Sequence, residues 1–225
     1  MHTHRVTRSG VSALALAAGA LLWPSAALGQ GVTVPEPTVP VEEEDIRHPR
    51  ASVTGYFLKD GAYFVPVVAV DHQGFHAEAR YNYEAQKAGS VWIGWSVEFG
   101  KELQLTLTPI FGTVFGRDLL GFAMGLEWSL SWKRLTFYSE LELVVDLKPD
   151  ENHFFYVWSE LDFQVLEWMR LGAAIQRTRA IHSPRLVQWG PLVGFDVWKL
   201  SVTAYWFNPG QSDNQYWAVS VGIGL

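Results

Sequence analysis

Phe75-His76-Ala77-Glu78-Ala79-Arg80-Tyr81-Asn82-Tyr83-Glu84 decides the architecture. Odd positions are apolar or aromatic, and even positions are polar or charged. A strand sends successive side chains to opposite faces, so the segment has one greasy face and one strongly polar face. The pattern recurs in Ile93–Phe99, Leu103–Thr108 and Phe122–Trp132, with Met124, Leu126, Trp128 and Leu130 set against Gly125, Glu127, Ser129 and Ser131. It continues through Leu135–Asp146, Phe154–Val165, Leu171–Thr178, Val187–Trp198, Leu200–Phe207 and Tyr216–Leu225.

The breaks between these segments alternate in length. His72-Gln73-Gly74, Gly100-Lys101-Glu102, Lys133-Arg134, Trp168-Met169-Arg170 and Lys199 are short. Residues 85–90, 117–121, 148–152, 180–185 and 208–215 are longer and more polar. Short turns at one end and longer loops at the other predict an antiparallel up-and-down β-barrel of the transmembrane type. Eleven segments are clear from Ala62 onward. Ser52–Leu58, closed by Lys59-Asp60-Gly61 as a tight turn, gives twelve, with ten strands as the alternative. The first hairpin is the weakest part, because Tyr63–Val70 is apolar on both faces and contains Pro66.

The two faces identify the solvent. By parity the polar face carries Glu78, Glu84, Glu98, Glu127, Glu140, Glu142, Asp146, Glu160, Asp162 and Asp196, with His76 and Arg80. It also carries Gly94, Gly112, Gly125, Gly172, Gly190, Gly194, Gly222 and Gly224. Phe99, Phe111, Trp128, Phe137, Phe163, Trp189, Phe195, Trp206 and Trp217 lie on the other face. A soluble barrel would bury those rings and expose the glycines, weakening its sheet for no gain. The expected arrangement is the reverse, with the rings toward lipid and the acids toward a lumen.

The chain of 225 residues has 17 Lys and Arg against 23 Asp and Glu, for a formal charge of −6. That balance disfavours nucleic acid, which needs a basic face. The absence of cysteine excludes disulfides, zinc-thiolate sites and thiol nucleophiles. A mean hydropathy of +0.05 would suit a soluble protein, yet 11 Trp, 8 Tyr and 13 Phe must be buried or face something apolar.

Residues 1–29 read as a signal peptide. Arg5 and Arg8 precede the apolar run Val11–Leu22, and Ala26-Ala27-Leu28-Gly29 suits cleavage. Its loss removes two arginines and no acid, so the mature net charge is −8. Residues 30–50 hold four prolines and the run Glu42-Glu43-Glu44-Asp45, the composition of an extended acidic periplasmic leader. Residues 51–225 form the barrel.

Export, and a last strand in which Trp217, Val219, Val221, Ile223 and Leu225 alternate to the final residue, resemble bacterial outer-membrane β-barrel proteins. The terminal Leu225 stands where those proteins usually have Phe. The resemblance implies the bacterial outer membrane, contact with its lipids and lipopolysaccharide, and insertion by the barrel-assembly machinery. Trp132 beside Lys133-Arg134, Trp168 beside Arg170 and Trp198 beside Lys199 fit an interfacial girdle. Arg177 and Arg179 point outward at the loop end, where they could meet lipopolysaccharide phosphates; a bulge turning them inward fits equally.

No phosphate loop, metalloprotease helix or nucleophile elbow occurs. Barrels resembling lipid A deacylases or outer-membrane phospholipases use a Ser–His pair. Here Ser139 and Ser159 face outward with no histidine on their face, and His182 merely adjoins Ser183 in a loop. No cofactor or metal is assigned. Glu140, Glu142, Glu160 and Asp162 could hold a divalent ion such as calcium, although close carboxylates on a wet wall ordinarily stay hydrated. Ten acids against one arginine need water or cations. The expected function is therefore a narrow passive channel whose acids favour small cations or neutral solutes. A non-conducting structural barrel is the alternative, and an envelope lipid-modifying enzyme the third.

Overall fold

A computed structural model describes residues 48–148, 153–180 and 186–225. The signal peptide, most of the acidic leader and two loop tips lie outside the described residues. The strands are β1 (His48–Leu58), β2 (Gly61–His72), β3 (Phe75–Tyr81), β4 (Ala88–Trp95), β5 (Val97–Phe99), β6 (Leu103–Gly116), β7 (Leu120–Trp132), β8 (Leu135–Asp146), β9 (Phe154–Leu166), β10 (Met169–Ala180), β11 (Leu186–Val197), β12 (Leu200–Phe207) and β13 (Tyr216–Gly224). Neighbours in the chain pair antiparallel, β1 pairs with β13, and β4 and β5 both pair with β6. β4 and β5 are one stave interrupted at Ser96, whose N–H donates to Gly74 O at 2.7 Å. The result is a closed antiparallel barrel of twelve staves.

Closure removes the sheet edges, and the alternation then has two environments. Phe111, Trp189, Phe99, Phe163 and Trp217 stand exposed on the outside, between 49% and 61%. Trp128 packs at a tilt against Phe137, and Trp206 stacks on Trp217, on the same surface. Water would not tolerate this continuous apolar exterior, but hydrocarbon would.

The first hairpin forms despite Pro66. Pro66 pairs with Val53 of β1, but the ladder between β2 and β3 stops at Val67, one residue short of the proline. β1 also begins earlier than composition suggested. Pro49 and Arg50 pair with Val70 and Ala69 of β2, so the strand extends into the stretch read as leader.

Gly94, Gly112 and Gly125 have a specific cause. Ile110 lies over Gly94 and Gly125, and a Cβ on Gly112 would come within 2.5 Å of the Trp92 indole. Large inward side chains from one stave thus cross the bare backbone of the next. Toward the loop end the lumen contains two apolar clusters. Trp92, Ile110, Val114, Leu119 and Val144 form one, and Trp158, Leu192, Tyr205, Phe207 and Tyr216 form the other. Simple alternation predicts a uniformly polar interior; the loop-end half is instead largely apolar.

Candidate functional site in the barrel lumen

β3 leaves the sheet after Tyr81, sooner than the uninterrupted alternation predicts. Asn82 has φ 59°, a left-handed conformation that Asn tolerates. Its side chain donates to Phe64 O at 2.9 Å and accepts from the Lys87 N–H at 2.7 Å. The reversal turns Tyr83, outward by parity, into the lumen. Glu84 also arrives there, by way of the loop: Ser90 Oγ donates to it at 2.7 Å and Trp92 Nε1 at 3.1 Å.

Arg80 is the centre of the lumen. Its side chain is 1% exposed. Nε donates to Glu78, and Nη1 donates to Glu140 Oε1 at 2.7 Å and to Glu142. Nη2 lies 3.3 Å from Glu127 Oε1, and Nη1 lies 3.8 Å from Glu84 Oε1. The guanidinium sits 4.3 Å from the Tyr83 ring centroid and 5.0 Å from that of Trp92, positions that suit cation–π attraction. Tyr83 completes the group by donating to Glu140 Oε2 at 2.6 Å. A forked guanidinium can hold several carboxylates together in this way; an ammonium could not.

Two further cations join the acids. Arg170, assigned to a turn beside Trp168 by the sequence reading, instead faces inward. Past the register shift at Met169 it shares the inward parity of Gly172, and it binds Asp196 and Thr203 and lies 3.6 Å from Asp162. Arg50 pairs with Asp71, which in turn lies 2.7 Å from His76 Nδ1. Ten acids facing one arginine therefore undercounts the cations. Both arginines were legible in principle, since Arg50 keeps parity with Ser52 and Thr54, and Arg170 with Gly172.

The remaining acids have distinct places. Glu98 lines a cavity of about 470 Å³ at the turn end, with Asp71, His76, Thr106 and Glu127. Glu160 accepts from Trp158 Nε1 at 2.7 Å and from Tyr205 Oη at 2.8 Å, beside a central cavity of about 420 Å³. Asp146 does different work, accepting from the Lys148 N–H at 3.0 Å and so tying down a loop. The four acids considered for calcium are engaged separately: Glu140 and Glu142 by Arg80, Glu160 by the two aromatic donors, and Asp162 near Arg170. A third cavity, about 170 Å³, continues toward the loops and shares Tyr56, Val65, Tyr83 and Tyr156 with the central one. Aromatic rings thus frame the lumen where its two halves meet.

On the outer surface Trp132, Trp168 and Trp198 are exposed at the turn end. Lys133 lies 4.6 Å from the Trp132 ring and Lys199 lies 5.8 Å from that of Trp198. Arg177 is half-buried on the outward register between Val157 and Val187; the Arg179 side chain lies outside the described residues. Ser139 and Ser159 are directly paired, with their hydroxyl oxygens 2.9 Å apart, and Ser139 also donates to Trp158 O. Each hydroxyl is satisfied without a general base, which is not the arrangement of an activated nucleophile.

Among solved structures, the KdgM porin matches 80% of this chain and 99% of its own, with a TM-score of 0.55 at 10% identity. The NanC porin matches over 78% and 98%, with a TM-score of 0.59 at 9% identity. The fold is that of a bacterial outer-membrane porin. At such identities the likeness is one of backbone, and lumen chemistry is read from this porin fold's own side chains. No protein-family model matches the sequence, and no curated protein matches it. The likeness covers the barrel as a whole and its closed, antiparallel course.

Proposed function

We propose that this barrel sits in the bacterial outer membrane as a narrow passive channel for small cations or neutral solutes. Residues 1–29 would export the chain, and the acidic leader would precede β1 in the periplasm. The barrel-assembly machinery would insert it, Trp132, Trp168 and Trp198 would anchor it at the interface, and Arg177 and Arg179 would meet lipopolysaccharide.

The observation that carries this reading is the surplus of carboxylates along adjoining lumen cavities that share lining residues. Six carboxylates (Asp71, Glu78, Glu84, Glu127, Glu140 and Glu142) gather about Arg50 and Arg80. Glu98 and Glu160 add charge on either side. A lumen with that excess attracts cations and repels anions. Planar-bilayer recording under a salt gradient tests it: a reversal potential of cation-selective sign is expected, and an anion-selective potential overturns the proposed preference.

A second reading, a non-conducting structural barrel, is favoured by the two apolar clusters toward the loops and by Arg80 reaching across the interior to Glu140. The same recording separates the two, since the structural barrel gives no unitary current.

A further inference from the structure

We infer that His76, Glu78 and Glu127 form a binding site for a zinc-type divalent cation in the wall of the turn-end cavity. The inference concerns a resident site and does not depend on whether the lumen conducts. His76 and Glu78 stand two positions apart on the inward face of β3, and Glu127 reaches them from β7. One donor atom from each lies within 4.8 Å of the others. His76 Nε2 is 3.8 Å from Glu78 Oε2. Ligand atoms sharing a tetrahedral zinc at bond lengths of about 2.1 Å stand ~3.4 Å apart, so closure needs side-chain shifts of only a few tenths of an ångström for that pair.

The histidine is the deciding residue. It is 1% exposed, and its Nε2 is buried with no hydrogen-bond partner. Burial without a partner is costly, so a polar atom held this way calls for a ligand. Nδ1 is held 2.7 Å from Asp71 Oδ1. A carboxylate can only accept there, so in the neutral imidazole Nδ1 carries the proton and Nε2, 3.8 Å from Glu78 Oε2, is left to ligate. Carboxylate behind histidine is the arrangement that orients and strengthens an imidazole ligand for a metal. Glu78 keeps its other oxygen, Oε1, for Arg80, so this ligand is braced as well.

Charge points the same way. The six carboxylates around Arg50 and Arg80 exceed the two arginines by more than one divalent ion neutralises. An imidazole with two carboxylates suits zinc better than calcium or magnesium, which take oxygen ligands. The cavity of about 470 Å³ lined by His76 and Glu127 provides room for entry and for a water as a fourth ligand.

The test uses untagged barrel, folded in detergent, stripped with chelator and titrated with Zn²⁺. One zinc per barrel is expected. His76→Gln should abolish stoichiometric binding, and Asp71→Asn should weaken it ~10- to 100-fold. Zinc K-edge absorption of the wild-type complex should show one imidazole nitrogen with oxygen ligands, a readout that does not depend on any variant folding. No stoichiometric binding by the wild type, a spectrum with no imidazole or with two, or undiminished binding by folded His76→Gln overturns the site.

Discussion

Arg80 Nη1 donates to Glu140 Oε1 at 2.7 Å although sixty residues separate them. Three staves (β4 with β5, β6 and β7) lie between β3 and β8 around the wall. The bond is therefore a chord across the lumen, and it joins staves that share no ladder. Its consequence for stability follows from burial: both side chains are at most 5% exposed, and neither could remain charged there alone.

Removing Arg80 should be among the most damaging lumen substitutions. Arg80→Met leaves its carboxylates facing one another, and breaking one side of a buried ion pair costs about 3–5 kcal/mol. Urea unfolding in lipid vesicles measures the loss. Adding Glu140→Gln and Glu142→Gln to Arg80→Met should recover part of it. Arg80→Lys should rescue poorly, because an ammonium lacks the fork that reaches Glu78, Glu127, Glu140 and Glu142 together; full rescue by Lys would contradict this role.

Selectivity should respond at Glu98 and Glu160. Each borders a lumen cavity. A charge about 4 Å from a passing ion contributes roughly 1 kcal/mol in water-like surroundings. Glu160→Gln should therefore lower the cation-to-anion permeability ratio by up to about fivefold, with Glu98→Gln in the same direction. Reversal potentials under a salt gradient read both, and an unchanged ratio in the double variant would remove these acids from the conduction path.

The exterior makes a depth-dependent prediction. Leu161 lies at the middle of β9 and is 46% exposed, whereas Trp198 sits at a turn and is 89% exposed. Leu161→Arg should destabilise the barrel in a bilayer by about 2–4 kcal/mol, and Trp198→Arg by about 0–1 kcal/mol. Vesicle unfolding titrations compare the two. Equal effects would mean that Leu161 does not face hydrocarbon.

The turn at Asn82 should be sensitive to residue shape. At φ 59° a β-branched residue is strained by about 1–2 kcal/mol, so Asn82→Val should lower the temperature of the heat-modifiable gel shift. Asn82→Gly relieves the strain but loses the bond to Phe64 O, and should fall between Val and wild type. A Val variant as stable as wild type would separate this turn from the placement of Tyr83.

The sequence alone determined the architecture. Period-2 alternation with acids and glycines on one face and rings on the other can be satisfied only where both faces have their own solvent, and the alternation of short turns with longer loops orders twelve staves. It also assigned the inward parity of Glu78, Arg80, Glu127, Glu140 and Glu142, since parity is local to each strand. Tertiary structure decided which of them meet. Arg80 and Glu140 become neighbours only when β4 pairs with β6 and closes the ring, a relation that no local spacing encodes. It decided Tyr83 as well, because a left-handed residue at Asn82 resets the alternation on which parity depends. The apolar filling toward the loops was masked by residue type: Trp92 and Ile110 look lipid-facing, yet they share the inward parity of Gly94 and Gly112 and pack over glycines left bare to receive them.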